Sequence, residues 1–488
     1  MRSTHRPLTF VAILLSLFMS AIEMTVVSTA MPTVVGDLGG VHFYAWVFTS
    51  YLLSSTITVP IFGKLADVYG RKPILLIGLT LFTCGSLACG LSGSMLQLVI
   101  FRALQGLGAG ALQPVTLTVI GDIYSLEERA RVQGYTGAVW GISGLVGPMV
   151  GGYITEWLSW HWIFFLNLPF GLFAGCLFLF FFHESPKERG RSRPDLLGGG
   201  LLAGGLLLLL LATENLSWGV WPFVVVGAIA WIFVQVERRA AEPILPPSLF
   251  ARPVIASSSL ASILFGATVL ATTTYVPLYL QAVEGSSASE AGRAITPMVL
   301  GWPIFSAISG RIIPRVGFRL PIRIGFALGT AAAFGLALHL GNGGPGPFLY
   351  VLMFSLGAGL GLANTGLVLS VQTTVAWEQR GVATASAMFF RTIGGAVAVA
   401  AVGSLLTARL SRVPGATAEI IDSFLGPEVG NGIAADLLVG LRDALAASLE
   451  IGLWIAAAVT AAGFLVALAF PHVAVGTSTP SRREATGS

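Results

Sequence analysis

Long runs of apolar residues, separated by short polar segments, recur along the whole of this 488-residue chain. A helix needs about 20 apolar residues to cross the hydrocarbon core of a bilayer, and most of the runs approach that length. The pattern predicts fourteen membrane-spanning helices, at residues 8–31, 44–63, 73–92, 95–120, 133–155, 163–183, 196–213, 221–236, 254–276, 291–310, 321–340, 347–374, 381–407 and 444–470. The seventh and eighth runs are the shortest, and they alternatively predict a hairpin at the membrane interface.

Composition excludes a soluble domain. Hydrophobic residues make up 55% of the chain and charged residues 10%, whereas a soluble domain carries about 25% charged residues. The chain therefore lacks the polar side chains that would cover a water-facing surface. Its 60 glycines are typical of membrane helices, because small residues let neighbouring helices approach closely.

Lysine and arginine are concentrated in every second loop, beginning with Arg2 and Arg6 at the N-terminus. The loops on the other side contain four arginines, which are Arg293, Arg409, Arg412 and Arg442. By the positive-inside rule, both termini are expected in the cytoplasm. The Ala- and Gly-rich composition, with arginine dominating the basic residues, favours a bacterial source and therefore a bacterial inner membrane. We expect the first run to remain as a span and not to be cleaved as a signal peptide, because it is long and many spans follow.

An internal repeat relates two parts of the chain. Gly63 to Pro73 joins the second and third spans, and Gly310 to Leu320 joins the tenth and eleventh. Both segments place glycines seven residues apart, with basic residues at the second and tenth positions. Alternatively, each is an ordinary short loop with glycine and basic anchors. Two homologous halves are typical of secondary transporters, and they divide the chain into a six-helix bundle (1–194), an inserted hairpin (195–237), a second six-helix bundle (238–472) and a cytoplasmic tail (473–488).

The repeat carries a family resemblance. The segment 63–73, Gly-Lys-Leu-Ala-Asp-Val-Tyr-Gly-Arg-Lys-Pro, resembles the loop signature of the major facilitator superfamily. Segment 144–152 resembles the antiporter motif of that superfamily, and the residues that match are Gly144, Gly147, Pro148, Gly151 and Gly152. Segments 22–32 and 160–171 resemble those of the fourteen-span drug:proton antiporters. The resemblance implies an all-α membrane fold, with two six-helix halves related by a pseudo-twofold axis and a two-helix hairpin inserted between them.

The sequence departs from the family pattern at two positions. Glu23 stands where the fourteen-span subfamily usually has aspartate, and Pro314 replaces the acid of the second loop copy. The first change keeps the carboxylate and moves it by one methylene. The second change implies that any latch at the second loop differs from the latch at the first.

Charged residues in and near the first loop form a candidate conformational latch. Asp67 and Arg71 are four residues apart and can share one face of a helix end, and Asp122 at the end of the fourth span is available as a partner for Arg71. The family resemblance implies that such charges hold the halves together on the inner side in the outward-open state, with Asp67 at the N-terminus of a helix from the other half. A solvated surface cluster is the alternative. The complete candidate set is Gly63, Asp67, Gly70, Arg71, Lys72 and Asp122.

Three charged residues lie well inside the predicted spans: Glu23, Arg102 and Arg391. A charge at the bilayer centre costs about 2.5–3.5 kcal/mol even on lenient scales, so such residues usually have a function. At 1.5 Å per residue, Glu23 and Arg102 lie about 13 and about 10 Å below the outer ends of their spans. These similar depths allow either a salt bridge between the two side chains or access of both to the same solvent. We hypothesise that Glu23 carries the coupling proton and that Arg102 tunes it. A fixed structural bridge is the alternative.

Polar and aromatic residues of several spans are candidates for a substrate cavity. Arg391 is predicted near mid-membrane, where it either faces the cavity or caps a neighbouring helix. Aromatic rings can wall a cavity for lipophilic ligands, although lipid contact and core packing are alternatives for each ring. The further candidates are Asn364, Gln113, Gln372, Trp46, Tyr51, Trp140, Tyr275 and Tyr279. In the fifth span, small residues at spacings of four and three predict a close helix contact.

Motifs for other functions are missing from the sequence. It contains no Gly-x-x-x-x-Gly-Lys-Ser/Thr phosphate loop, no HExxH and no CxxC, which argues against an ATP-driven pump, an enzyme and a metal cofactor. The three cysteines lie inside apolar runs and are expected as packing residues. We expect a monomeric exporter of lipophilic, often cationic, drugs that uses protons as coupling ion and binds no nucleic acid. Alternatives are a dedicated exporter of one endogenous lipid, antibiotic or siderophore, and a non-transporting sensor or assembly factor.

Overall fold

The structure is a computed structural model that describes residues 4–39, 43–184, 195–214, 219–286, 288–343, 346–417, 420–421, 424 and 434–472. The predicted tail at 473–488 lies outside these residues, as does the basic part of the segment between the sixth and seventh predicted spans. The described residues form helices and connecting turns. The helices are α1 (Arg6–Leu38), α2 (Tyr44–Tyr69), α3 (Arg71–Gly90), α4 (Met95–Ile123), α5 (Leu126–Trp157), α6 (His161–Phe165), α7 (Asn167–Phe181), α8 (Leu196–Glu214), α9 (Trp221–Arg239), α10 (Pro247–Phe250), α11 (Pro253–Ala282), α12 (Ala288–Val316), α13 (Arg319–Gly343), α14 (Pro347–Thr374), α15 (Arg380–Leu410) and α16 (Ala435–Leu468).

Eleven helices in the described part of the chain are long and apolar enough to cross a membrane, and α5 raises the number to twelve when its two bent pieces count as one span. The bend in α5 is 41°. Helices α8 and α12 lie at predicted spans but outside this set. The apolar helix within α8 is short, Leu197–Leu209, and α12 carries several charges and three prolines. Eleven to twelve candidate spans are therefore observed, and fourteen spans stay a prediction.

Each half of the helical bundle has its own apolar core. Buried residues of α1–α5 and α7 pack together in the N-terminal part, and buried residues of α11–α16 pack together in the C-terminal part. Glycine makes several of these contacts close. A Cβ added at Gly108 of α4 would lie 2.6 Å from the carbonyl oxygen of Gly78 in α3, so the two helices pack backbone against backbone. Such contact is the way that membrane helices gain packing energy without a hydrophobic driving force.

The helix α8 packs along the line where the two parts meet. Its residue Leu206 belongs to a buried cluster with Val59 of α2 and with Met388 and Phe389 of α15. The same cluster includes Ile244, which follows α9. The segment between the two six-helix regions therefore packs against both of them.

Candidate functional site

Glu23 lies at the centre of a buried polar network in the N-terminal half. Its side chain is 1% exposed. Arg102 of α4 donates from Nη1 to Glu23 Oε1 at 2.6 Å, and Asn167 at the start of α7 donates from Nδ2 to Glu23 Oε2. Both carboxylate oxygens are therefore held by side chains of other helices. Of the two geometries that the sequence leaves open, the structure shows the Glu23–Arg102 salt bridge.

A second set of polar groups holds the two donors in place. Gln105 accepts from Arg102 Nη1 at 2.7 Å and donates from Nε2 to Ser86 Oγ at 3.1 Å. Asn167 also donates to Ser86 Oγ, at 3.0 Å. Ser86 in turn donates to the carbonyl oxygen of Phe164 at 2.9 Å. The network thus joins α1, α3, α4 and the α6–α7 segment, and its groups compensate one another's burial.

Arg102 has two further partners on α2. Its Nε donates to the carbonyl oxygen of Val47 at 3.2 Å, and its guanidinium carbon lies 4.2 Å from the ring centroid of Tyr51. The sequence predicts Tyr51 as a cavity wall, but the residue is buried against Arg102. A cation over an aromatic face is stabilised by the ring quadrupole, which explains this different placement. The arrangement pairs one buried carboxylate with one buried guanidinium, so loss or gain of a proton on Glu23 changes the charge balance of the whole site.

The latch candidates meet at the end of the bundle where α2 turns into α3, here called the Arg71 end. Arg71 is fully buried. Its guanidinium lies 2.9 Å from Asp67 Oδ1 and 3.1 Å from Asp122 Oδ2. It also donates to the carbonyl oxygen of Trp377 at 2.9 Å and lies 4.0 Å from that residue's ring centroid. Because Trp377 begins the short 3-10 turn that leads into α15, Arg71 joins the two halves.

Asp67 makes the second link between the halves. Its carboxylate accepts from the backbone N–H of Gly381 at 3.1 Å and from that of Val382 at 2.8 Å. These are N–H groups of the first turn of α15, which have no partner within the helix and where the helix dipole favours a negative charge. Gly63 lies on the same contact, since a Cβ there would lie 3.0 Å from the carbonyl oxygen of Gly381. Any larger residue at position 63 would separate α2 from α15.

The remaining latch candidates differ in whether they contact the other half. Asp122 lies 3.4 Å from Arg380 Nη1 at the start of α15, so it bridges Arg71 and the other half. Lys72 instead donates from Nζ to the carbonyl oxygen of Leu179 at 2.7 Å within its own half. Gly70 has a φ of 100°, a conformation that glycine adopts without strain and that produces the tight turn between α2 and α3.

The glycines of α5 contact two different neighbours. Gly141 approaches α12 of the other half, since a Cβ added there would lie 3.0 Å from Val299 Cγ1. At the bend, a Cβ at Gly147 would overlap Thr25 of α1, and beyond it, one at Gly151 would lie 2.9 Å from the carbonyl oxygen of Val26. The predicted close contact exists, but it changes partner along the helix. Gly144 and Gly152 have open space around them, and the side chain of Pro148 is outside the described part.

The C-terminal half contains one embedded cation among its described residues. Arg391 is half-buried and donates from Nη1 to Asn364 Oδ1 at 3.4 Å. Within the described ranges, no carboxylate oxygen lies within 4.0 Å of its guanidinium. Gln113 of α4 is also half-buried and forms no side-chain hydrogen bond within the described part of the chain. Arg391 and Asn364 are thus brought together, and a polar cavity at this place stays a prediction.

Three other cavity predictions are not supported by the placement of the side chains. Tyr275 and Tyr279 are buried in the core of the C-terminal half, where their hydroxyls donate to the carbonyl oxygens of Val399 and Leu340. Gln372 is 1% exposed and donates from Nε2 to the carbonyl oxygen of Leu117 at 3.3 Å. It therefore belongs to the contact between the halves. Depth in an apolar run does not distinguish core from cavity.

Trp46 and Trp140 are the two predicted aromatic candidates that remain exposed. Trp46 of α2 is 38% exposed and Trp140 of α5 is 39% exposed. Trp46 lies near the end of α2 opposite the Arg71 end, and Trp140 lies on α5 next to Gly141, which packs against α12 of the other half. Their rings are therefore available to a lipophilic ligand or to lipid.

Comparison with known proteins decides the family. The model of the Major Facilitator Superfamily matches residues 13–399. The chain belongs to this superfamily. The multidrug transporter protein MdtP of Bacillus subtilis is 36% identical over 416 residues, which cover 84% of this chain and 76% of MdtP. Multidrug resistance protein 3 of the same organism is 35% identical over 406 residues, covering 81% of this chain and 78% of the relative.

Solved structures agree on the architecture of this facilitator. The crystal structure of the human organic anion transporter MFSD10 superposes with a TM-score of 0.64 at 15% identity, covering 95% of this chain and 100% of that one. At this identity the similarity shows the fold alone. Family and fold together establish a membrane transporter and not an enzyme.

Sequence reasoning misses several partners in this facilitator. Asn167 lies inside a segment that the sequence marks only by family resemblance, and Gln105 lies three residues after Arg102 on the same helix face. A search for polar residues three or four positions from each embedded charge would find Gln105. Glu184 accepts from the backbone N–H groups of Arg71 and Lys72, at 3.0 and 3.2 Å. No local pattern indicates that contact, because it joins the start of α3 to the segment after α7, which is far away in the chain.

Proposed function

We propose that this chain is a proton-coupled antiporter that exports lipophilic compounds by alternating access. The observation that carries the proposal is Glu23, a buried carboxylate with both oxygens held by side chains of other helices. The comparisons support export, since relatives are named as multidrug transporters. They leave the coupling ion open.

Protonation of Glu23 supplies a physical link between proton binding and helix movement. A proton neutralises the carboxylate and leaves Arg102 as a buried cation without its counter-ion, which is unfavourable in a low-dielectric site. It also turns one carboxylate oxygen into a hydroxyl, which donates and is a weaker acceptor, so the hydrogen bond from Arg102 or from Asn167 to that oxygen weakens. Because these partners lie on α4 and α7, the three helices then lose a shared constraint.

The latch supports the alternating-access part of the proposal. The contacts of Arg71 and Asp67 with the start of α15 close the bundle at the Arg71 end. Trp46, nearer the opposite end, is exposed. We infer a conformation that is closed at the Arg71 end and open at the other. Breaking the latch would let the halves tilt into the opposite state.

The topology of the proposal follows from charge. The positive-inside rule puts the Arg71 end in the cytoplasm, together with both termini, so we propose that this conformation is outward-facing. We further propose fourteen spans, with α8 and α9 as an inserted hairpin between the six-helix halves 1–194 and 238–472. The packing of α8 on α2 and α15 supports a place at the edge of the bundle. We expect a monomer in a bacterial inner membrane.

The test is transport in proteoliposomes with an imposed pH gradient. Wild type is compared with Glu23→Gln, which keeps the size of the side chain and removes the titrating group, for one anionic, one neutral and one cationic fluorescent dye. Glu156→Gln is the matched control, because Glu156 is exposed at the end of α5. We expect gradient-driven flux in wild type and control, and its loss in Glu23→Gln with dye binding retained.

Two outcomes would count against the proposal. Full gradient-driven flux in Glu23→Gln would show that another group carries the proton. Dye binding without flux of any dye in well-folded wild type would contradict transport of such compounds and favour a sensor.

A further inference from the structure

The helix α14 exposes a single narrow face in its second half. From Leu356 to Gln372, every described side chain is buried except Asn364 and Val368. These two residues are four positions apart and therefore lie above one another on one helix face. Asn364 contacts Arg391 of α15, so this face points toward the interior of the bundle.

The helix α4 repeats the arrangement in the other half. From Gly108 to Gly121, every side chain is buried except Gln113 and Leu117, again four positions apart. Gln113 lies 18 residues after the first residue of α4, and Asn364 lies 17 residues after the first residue of α14. Each half thus presents one amide, followed one turn later by one apolar side chain, at nearly the same depth.

Below these two amides, toward the Arg71 end, α4 and α14 contact each other and the bundle is closed. The carbonyl oxygen of Leu117 accepts from Gln372 of the other half at 3.3 Å, and the Leu117 side chain packs against the cluster of Met388 and Phe389. At 1.5 Å per residue, Gln113 lies about 6 Å above Leu117 along the helix axis. The amides therefore lie at the floor of the cavity.

Arg391 belongs to this floor. It lies two residues beyond Phe389 on α15 and contacts Asn364. A Cβ added at Gly266 of α11 would lie 3.0 Å from Arg391 Cγ and would overlap the Arg391 backbone, so close helix packing fixes the base of the side chain. One of its five N–H donors has a partner among the described residues. The Asn364 amide nitrogen and the Gln113 side chain add further donors that have no partner in the described ranges of the chain.

The charge balance of the cavity is positive. In the N-terminal half, Glu23 neutralises Arg102. Arg391 lacks a carboxylate within 4.0 Å among the described residues, although it lies deep in a span. An uncompensated guanidinium is costly in a low-dielectric region, so the cargo itself is the natural source of the missing negative charge.

We propose that Arg391, Asn364 and Gln113 form a subsite for a carboxylate, sulfonate or phosphate group on a lipophilic cargo. The planar guanidinium offers paired donors that match such a group in bidentate geometry. Anionic and zwitterionic amphiphiles are then favoured, whereas the sequence alone suggests cations. The inference rests on the proposed export function for the cavity's role and deepens it by naming the cargo's chemistry.

The test measures binding by purified protein in nanodiscs, at one pH and without a gradient. Fluorescein and rhodamine ethyl ester serve as anionic and cationic probes that share a ring system, and Nile red serves as the neutral probe. Two variants remove the excess positive charge in different ways. Arg391→Gln deletes the cation, whereas Asn364→Asp keeps the cation and places a carboxylate beside it. Arg293→Gln is the control for net charge, because Arg293 is exposed at the start of α12.

We expect wild type to bind fluorescein more tightly than rhodamine ethyl ester. Both variants should weaken fluorescein binding by about 10- to 100-fold, the size of one charge-assisted hydrogen bond. Nile red affinity should be unchanged, which also verifies folding, and the Arg293→Gln control should bind all three probes as wild type does. Asn364→Asp should unfold no more easily than wild type, since it gains an ion pair, so its loss of binding cannot come from misfolding.

Equal fluorescein affinity in wild type and both variants would overturn the subsite, as would tighter binding of rhodamine ethyl ester by wild type. Adding phosphatidylglycerol to the nanodiscs identifies the source of the anionic group: competition with fluorescein indicates a lipid headgroup, and no competition indicates a free compound. The proton-coupling proposal is tested by a different measurement, and it fails if gradient-driven flux persists in Glu23→Gln. A failed export test therefore leaves the binding result interpretable.

Discussion

Helices α5 and α15 both begin at the Arg71 end, one in each half, and their first turns are capped in different ways. At α5, Ser125 accepts from the backbone N–H of Glu128, and the Glu128 carboxylate accepts from the Ser125 backbone N–H at 2.8 Å. At α15, the N-cap residue Gln379 makes no such bond. The N–H groups of its first turn are bound by Asp67 of the other half.

The difference shows how one end of the bundle depends on the state of the whole protein. The first N–H groups of any helix need partners from outside the helix. Helix α5 finds them within its own turn, whatever the halves do. Helix α15 has the Asp67 partner only while the halves are closed at the Arg71 end. The same comparison suggests a reason for Pro314. Helix α12 packs against α5, since a Cβ at Gly134 of α5 would lie 2.9 Å from Ala307 Cβ of α12, and we infer that an acid at position 314 would approach the α5 N-terminus, which is already capped.

Removal of Arg71 should lower the stability of the protein more than any other substitution at the Arg71 end. Arg71→Ala leaves Asp67 and Asp122 buried without their shared cation, and breaking a buried pair in this way costs about 3–5 kcal/mol. The free energy of unfolding, measured by titration with a denaturing detergent, should fall by that amount. Lys72→Ala is the matched control, since Lys72 is the neighbouring cation with an exposed contact inside one half. A loss as large in the control would contradict the latch.

Neutralisation of Asp67 should have the next largest effect. Asp67→Asn keeps one acceptor oxygen and loses the charge that favours the α15 N-terminus, at a cost of about 1–2 kcal/mol. Spin labels at Arg131 and Arg315, which are exposed on opposite halves, should report a longer distance as the Arg71 end opens. Unchanged distances would contradict a role in closure.

A second substitution sharpens that result. Gln379→Ser in the Asp67→Asn background gives α15 a cap of its own, worth about 1 kcal/mol. Stability should recover, but the label distance should stay long, because a local cap does not join the halves. Recovery of both quantities would mean that the cap alone, and not the contact across the halves, controls closure.

Loss of the local cap on α5 should cost less. Ser125→Ala removes one side-chain acceptor, at about 1 kcal/mol, without touching a contact between the halves. The unfolding free energy should decrease while the distance between the labels stays as in wild type. Opening of the Arg71 end in this variant would show that α5 is also part of the latch.

An acid restored to the second loop should have the smallest effect. Pro314→Asp and Pro314→Ala both remove the proline, so the difference between them isolates the carboxylate. That difference should stay within about 0.5 kcal/mol, as for surface substitutions without a partner. Stabilisation well beyond this value would mean that the α5 N-terminus accepts a second cap, and that the explanation of Pro314 is wrong.

The sequence is most informative where one physical constraint dominates. Apolar length places the helices well, because a span requires a continuous apolar run. It is less informative for α8 and α12, in which shortness, charges and prolines weaken that signal. Embedded charge likewise points to Glu23, Arg102 and Arg391, since few such residues are tolerated without a purpose.

Contacts between distant parts of the chain are harder to predict. Asn167 and Trp377 contact their charged partners across many intervening residues, and no periodicity encodes such pairs. Tyr275 and Tyr279 are predicted to line the cavity although their hydroxyls bind backbone carbonyls in the core. An aromatic residue in an apolar run satisfies both environments equally well, so only the tertiary structure separates them.

The glycines of α14 have a consequence for how this protein can evolve. A Cβ at Gly357 would overlap the backbone of Met298 in α12, and one at Gly359 would lie 2.7 Å from the backbone nitrogen of Gly329 in α13. The helix is thus enclosed by main chain on two sides and has almost no tolerance for a new side chain. Natural or laboratory selection for new cargo should therefore leave these glycines invariant and accumulate its changes at the partly exposed positions, such as Asn364 of α14 and Gln113 of α4.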